Sequence, residues 1–454
     1  MKLVYNVDDK PKFGQLIIYA IQQLLAIMTA TLVVPVIINS TCGTNMSSAA
    51  ALFGAGLGTL VYVAFTKKKS PVFLGSSFAF IGSMLAAFAG GVSMSLGFAG
   101  LIIGAIFAGL VYVVIAIIVK FAGVSWVNKI MPAVVIGPTV AIIGLSLAGN
   151  AISDLTKGSI EGVATSPLIT VLCGLVTLFV TVISSTYGKK TLKLIPFIMG
   201  ILGGYATAAI LTIIGYAAEI DAIKVLNVAP FMALVENGVT LNTFLAVPDF
   251  TFVEAFKGIG EINASYIGTI AVAYIPVAFV VFAEHIADHK NISSIIEKDL
   301  LTDPGLHRTL LGDGIGSMVG ALFGGCPNTT YGESVGCVAI TRNASVLTII
   351  TAAVLAMVIA FISPFIAFVN SIPSCVMGGV CMALYGFIAV SGLKMVQKVN
   401  LNLNKNLFVV SVILIAGIGG LTLTFGKITI TSVACALILG IITNLILSKA
   451  KDEE

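Results

Sequence analysis

Residues 326–342 read Cys-Pro-Asn-Thr-Thr-Tyr-Gly-Glu-Ser-Val-Gly-Cys-Val-Ala-Ile-Thr-Arg, a polar stretch that carries Glu333 between two apolar runs, each long enough to cross a membrane. A carboxylate at mid-bilayer depth costs at least ~2.5–3.5 kcal/mol even on lenient insertion scales, so it faces a cavity or a partner rather than lipid. The Pro, Asn and Gly beside it weaken a continuous helix, and a membrane tolerates irregular backbone only where protein covers it or water reaches it. The stretch therefore marks a binding site inside a membrane protein.

Composition agrees. The chain has 454 residues, 58% of them hydrophobic and only 10% charged, with 47 glycines. A soluble chain carries roughly 25% charged residues and lacks repeated apolar runs of the ~20 residues that span a hydrocarbon core. The net charge of +4 informs only once the charges are placed. Cysteines at 42, 173, 326, 337, 375, 381 and 435 are odd in number and scattered, and read as reduced, small apolar core residues. Residues 1–13 are charged and lead into a long span without a small-residue cleavage pattern, so no removable signal peptide is expected.

Apolar runs in a window of about 19 residues place spans near 14–39, 47–66, 71–88, 94–121, 128–150, 165–187, 191–217, 267–288, 308–325, 328–342, 344–369, 373–393, 406–424 and 427–449. An all-α polytopic protein of fourteen spans follows. With both termini cytoplasmic, twenty Lys and Arg face inward (2, 10, 12, 67, 68, 69, 120, 129, 189, 190, 193, 290, 298, 308, 342, 394, 398, 405, 449 and 451) and four face outward (157, 224, 257 and 427). That bias sets the orientation. Segments 71–88 and 328–342 are short and interrupted, the pointer to a transporter site where two broken helices meet. Ser76-Ser77-Phe78 aligns with Thr329-Thr330-Tyr331 at an offset of 253, and seven spans per half turn the second half upside down. Residues 218–266 join the halves, and Glu219, Asp221, Glu236, Asp249, Glu254 and Glu261 there suit a solvated outer surface.

Four acids lie in or at the ends of spans: Glu284, Asp288, Asp313 and Glu333. Glu284 and Asp288, four apart, share one helical face, with Glu284 the deeper. Asp288 also reads as an interfacial charge paired with His or Lys, and Asp313, five residues after Arg308, as a helix-packing acceptor. Desolvation disfavours the charged form of a deep carboxylate that has no Lys or Arg at its depth, so Glu284 and Glu333 can load and release a proton. Their oxygens can also accept from ring N–H groups of a ligand, while free backbone N–H groups at the broken helices donate to its carbonyls. A flat heterocycle alternating N–H and C=O fits, with Phe78 and Tyr331 available to stack. Gln22 and Gln23 point inward, one towards the site and one towards a neighbouring helix. Thr341-Arg342 closes its span, with Arg342 an anchor at the cytoplasmic face. His285 and His307 lack ligand spacing with other His or Cys, so neither a metal nor another cofactor is expected.

Longer blocks carry a resemblance. Gln-Gln-Leu-Leu-Ala from 22, Leu-Gly-Ser-Ser-Phe-Ala-Phe-Ile at 74–81, Ala-Glu-His-Ile at 283–286, Lys-Asp-Leu-Leu-Thr-Asp-Pro-Gly-Leu-His-Arg at 298–308, Pro-Asn-Thr-Thr-Tyr-Gly-Glu at 327–333 and Ala-Ile-Thr-Arg at 339–342 resemble bacterial uracil permeases of the nucleobase:cation symporter (nucleobase-ascorbate transporter) family. The resemblance implies two inverted seven-span repeats, a core domain of residues 1–121 and 267–369, and a gate domain of residues 122–217 and 370–454, the latter including a cytoplasmic tail. It implies short strands in spans three and ten and a proton-driven importer in the plasma membrane, with homodimers through the gate domains. By position, Glu284 and Glu333 would accept from nucleobase N–H groups, and the backbone N–H groups of Phe78 and Gly332 would meet its carbonyls. Asp288 and Asp313 match purine-transporting members, and Ser334 stands where the family signature has Asn. Glu333 favours uracil over xanthine, because purine members place Gln there.

Other classes remain to be weighed. A channel needs rings of groups forming a selectivity filter, which the sequence does not supply. An anion transporter of the same inverted plan would want a positive residue at the two breaks, where carboxylates stand. An enzyme lacks any nucleophile with a base or metal cluster.

Overall fold

The computed structural model describes residues 3–123, 132–160, 162–189, 191–236, 238–425 and 428–448. Lys2, Lys129, Lys190, Lys427, Lys449 and Lys451, together with the start of the 128–150 span and the C-terminal tail, lie outside the described residues.

The chain opens with α1 (Phe13–Cys42), α2 (Ser48–Phe65), strand β1 (Leu74–Ser76), a 3-10 turn at Phe78–Phe80, the short α3 (Ile81–Ala87) and α4 (Met94–Ala122). Then follow α5 (Ala133–Ser146), α6 (Pro167–Tyr187) and α7 (Pro196–Ala217). The order helix, helix, strand, short helix, helix then recurs as α8 (Ala264–Ile296), α9 (Leu306–Gly324), β2 (Asn328–Thr330), α10 (Gly332–Thr341) and α11 (Val346–Ile359). It ends in α12 (Ser374–Val396), α13 (Asn404–Ile418), a hairpin of β3 (Leu423–Phe425) and β4 (Ile428–Ile430), and α14 (Ser432–Leu447).

Local chemistry sets several of these boundaries. Side chains of Ser47, Ser93, Asn263 and Thr431 accept from the backbone N–H three residues on, satisfying donors that have no partner inside a helix. Left-handed Gly43 ends α1 and left-handed Gly325 ends α9, where a Cβ would be strained.

Eight helical stretches among the described residues, one of them α5 continued by a short helix to Leu155, reach 18 residues and are apolar enough to cross a bilayer alone. Of the other expected segments, 308–325 forms the unbroken 19-residue α9, and the rest are shorter or broken. Segment 71–88 splits into strand, 3-10 turn and helix, and segment 344–369 into α11 and a short helix at Ser363–Ser371. Two boundaries differ from expectation. α8 runs to Ile296, eight residues past the apolar run, because its polar last turns pack inside the protein and His289 and Ile292 are fully buried. The expected span at 427–449 begins instead with the second strand of a hairpin, whose Leu-Thr-Phe and Ile-Thr-Ile alternate in a strand-like way.

α2 and α9 cross on glycine. A Cβ at Gly58 would stand 2.6 Å from the Gly316 carbonyl oxygen, and one at Gly54 would collide with the backbone of Gly320. Small residues four apart let the two backbones touch. Antiparallel pairing then joins the repeated units, with Leu74 opposite Thr330, Gly75 opposite Thr329 and Ser76 opposite Asn328.

Of the acids in the 218–266 segment, Glu219, Asp221, Glu236, Asp249 and Glu261 are exposed, as expected, and Glu254 is half-buried. Ser93 donates to Glu261 at 2.8 Å and Ser95 to Glu254 at 2.5 Å, tying the segment to the start of α4. The hydrogen bond from Lys257, followed by that from Ser95, holds the Glu254 carboxyl below its ordinary range. Phe250 and Phe252 pack on Phe323 of α9, and Phe250 also on Phe53 of α2.

Candidate functional site

The paired strands end in helix starts that face one cavity of about 450 Å³, within the size range of small-ligand sites. Three irregular pieces supply one wall: Ser77 and Phe78 after β1, Thr329 and Thr330 of β2, and Gly332 and Glu333 at the start of α10. Glu284 and Asp288, one turn apart on α8, complete that wall. The facing wall is mainly apolar, with Ile136, Val140 and Ile143 from α5 and Leu384, Phe387 and Ile388 from α12, beside the single hydroxyl of Ser391. No Lys or Arg lines the cavity among the described residues.

Glu284 and Glu333 are half-buried and line the cavity, and no hydrogen bond or ion pair engages either side chain among the described residues. Neither the 3-10 turn starting at Phe78 nor α10 starting at Gly332 has a capping side chain. First-turn N–H groups have no intrahelical acceptor, so two sets of donors open towards the same space as two carboxylates. The Ser77 and Thr329 hydroxyls are buried at this wall without partners among the described residues. A buried polar group without a partner costs about 1–3 kcal/mol. The wall is therefore matched to a polar occupant.

The frame behind that wall is fastened by hydrogen bonds. Ser334 Oγ accepts from the Phe73 N–H at 2.9 Å and from the Gln23 side-chain amide, joining α1, the run into β1 and α10 at one atom. Thr59 Oγ accepts from the Leu74 N–H at 2.9 Å and donates to the Ala55 carbonyl at 2.8 Å, clamping β1 to α2.

The other sequence candidates divide. Asp288 is not an interfacial charge, since α8 continues beyond it and the Thr330 hydroxyl donates to its Oδ2 at 3.0 Å. Tyr331 lines the cavity, but much of its ring is engaged elsewhere. It is buried, its hydroxyl donates to the Ser76 carbonyl at 2.6 Å, and its ring fills the space where a Cβ on Gly75 would stand. Phe78 keeps its place on the cavity and meets Tyr385 edge-on. Neither Gln22 nor Gln23 lines the cavity, and Gln23 bonds a neighbouring helix through Ser334. Asp313 sits behind the wall, fully buried against His285. Thr341 donates back to the Cys337 carbonyl at 2.6 Å, and exposed Arg342 accepts at its carbonyl from the Val4 N–H at 2.8 Å, both away from the cavity. Sequence reasoning weighs His285 only as a metal ligand. Its position next to Glu284 was the available signal, but only the fold brings Asp313 to it.

A protein-family model described as a permease family matches residues 14–425. Along its full length the chain is 37% identical to the uracil permease of Bacillus subtilis (strain 168), covering 97% of that protein. It is 38% identical over 98% of its length to the uracil permease of Bacillus caldolyticus, covering 95% of it. Among solved structures, the transmembrane domain of a cyanobacterium bicarbonate transporter, BicA, matches with a TM-score of 0.59 over 98% of this chain and 100% of that one, at 14% identity. At that identity the likeness is one of fold.

Proposed function

The chain belongs to this permease family, as a multi-pass membrane transporter rather than an enzyme, and from that premise we propose that it imports a nucleobase, uracil in preference to xanthine, together with a proton. One observation carries the proposal: Glu284 and Glu333 face a single cavity without protein partners, beside the uncapped helix starts at Phe78 and Gly332. Uracil alternates ring N–H and C=O groups around one plane. Glu284 and Glu333 accept from the N–H groups, the backbone N–H groups of Phe78 and Gly332 donate to the carbonyls, and the Phe78 ring stacks on the face. Hydrogen bonds to charged groups contribute about 1.5–3 kcal/mol each. The relatives named as uracil permeases support this choice of base.

In this reading the chain forms fourteen spans in two inverted halves in the plasma membrane, with both termini cytoplasmic. Residues 1–121 and 267–369 form the core, which shifts against a gate of residues 122–217 and 370–454, joined by the 218–266 linker. Alternating access exposes the cavity to each side in turn, with gate surfaces pairing two copies. The proton rides on Glu284 or Glu333, and Asp288 and Asp313 assist its release. Counterflow of labelled uracil and labelled xanthine in liposomes tests the substrate. Uracil is expected to accumulate against unlabelled uracil, with xanthine at least about tenfold slower, a difference of ~1.4 kcal/mol. Accumulation of neither base refutes the substrate assignment.

A further inference from the structure

Behind the polar wall lies a second cluster. His285 of α8 and Asp313 of α9 are both fully buried, with Nδ1 2.6 Å from Oδ2. The other ring nitrogen lies 2.9 Å from the Thr309 hydroxyl, which is 3.0 Å from the Leu306 carbonyl. These contacts admit two proton counts in one heavy-atom frame. A threonine hydroxyl has one proton to donate and lone pairs with which to accept. When it donates to Leu306 it accepts from His285 Nε2–H, and one further proton then lies between Nδ1 and Oδ2. When it turns to donate to Nε2, Nδ1–H donates to an ionised Asp313, and the cluster holds one proton fewer. Both ring nitrogens of His285, Asp313 Oδ2 and the Thr309 hydroxyl stay satisfied in both states.

The neighbours hold this frame in place. The His289 ring stacks on His285 with centroids 4.0 Å apart, and its Nδ1–H donates to the His285 carbonyl at 2.8 Å. His289 Nε2 meets the Tyr62 hydroxyl of α2 at 2.7 Å, which in turn meets Ser70 Oγ at 2.7 Å. Tyr112 of α4 faces His285 edge-on at 6.2 Å. Glu284, next to His285 in the chain, Asp288 one turn further along α8 and Glu333 of α10 are the ionisable groups of the wall in front of it. Asp313 Oδ1 is buried with no partner among the described residues, leaving an open acceptor on the pair.

We propose that the His285–Asp313 pair stores a proton and exchanges it with Glu284 during transport, with Thr309 as the positioning residue that lets the pair hold either count. This rests on the proton-coupled reading above. The step balances: protonated Glu284 gives up its proton and becomes a carboxylate, the pair gains that proton, and the Thr309 hydroxyl turns from Nε2 to the Leu306 carbonyl. One negative charge moves from the pair to Glu284 and none is created.

The test uses full-length protein in liposomes, with counterflow of labelled uracil as the coupling-independent assay. Uphill uptake under an imposed pH gradient, from about pH 5 to about pH 8, is the coupled one. His285→Asn keeps an N–H facing Asp313 but cannot hold the extra proton. It is expected to leave counterflow within about twofold of wild type while uphill accumulation falls at least about tenfold. Thr309→Val, which keeps side-chain shape, is expected to shift the pH profile of uphill uptake and leave counterflow unchanged. The proposal is overturned if both variants keep the wild-type accumulation and pH profile, or if each loses counterflow and accumulation together. A wild-type protein whose uptake ignores the pH gradient refutes proton coupling itself, and this proposal with it.

Discussion

The two walls of the cavity follow opposite plans. On one side the backbone is interrupted twice, and strand ends and uncapped helix starts present N–H groups beside Glu284 and Glu333. On the other, α5 and α12 present mainly apolar side chains, at Ile136, Val140, Ile143, Leu384, Phe387 and Ile388, with Ser391 of α12 the polar exception. The first wall is locked from behind by Ser334, Thr59 and Tyr331. The interrupted wall fixes donors and acceptors, while the facing wall offers no directional bonds at these six positions, which suits the sliding that alternating access, as proposed, requires. A helix without a break has no spare backbone donors to offer, so the interruption is what makes the polar wall possible.

If this contrast is right, removing charge from the polar wall has the largest effect. Glu284→Gln is expected to reduce gradient-driven uptake of labelled uracil at least about 100-fold, the loss of a charge-assisted bond together with the coupling proton. Undiminished uphill transport by this variant would break the comparison. Next comes the frame. Ser334→Ala leaves the Phe73 N–H and the Gln23 amide without their shared acceptor, at a cost of about 1–3 kcal/mol, readable as a lower Tm of the detergent-solubilised protein. An unchanged Tm would show that the wall does not depend on that junction. Smallest is the apolar side. Ile388→Val removes one methylene group, worth about 1 kcal/mol, so uracil affinity by isothermal titration is expected to stay within about fivefold. A much larger loss would mean that this wall recognises the base directly.

The sequence shows the two walls unequally. Deep acids and interrupted spans are rare in apolar surroundings, so residues 71–88, Glu284 and 326–342 could be read as a site from one chain alone. Apolar residues look alike whether they face lipid or a cavity, so Val140 and Ile388 carried no signal. Long-range bonds were also hidden. Ser334 meets Gln23 across 311 positions and Phe73 across 261, and nothing local marks such partners. Tyr331 is a further case: it reads as a ring at the site and does line the cavity, but the bond from its hydroxyl to the Ser76 carbonyl, 255 positions away, has no local mark. The β3–β4 hairpin was absorbed into an apolar span because its residues are as hydrophobic as a helix and only their alternation differs.

Uracil binding to wild type and to Glu333→Gln, measured by isothermal titration on purified full-length protein, tests the central claim most directly. Wild type is expected to bind uracil, and the variant to bind it about 10-fold to 150-fold more weakly, the loss of one hydrogen bond to a charged acceptor. Equal affinity in the two proteins would contradict the assignment of Glu333 to the base.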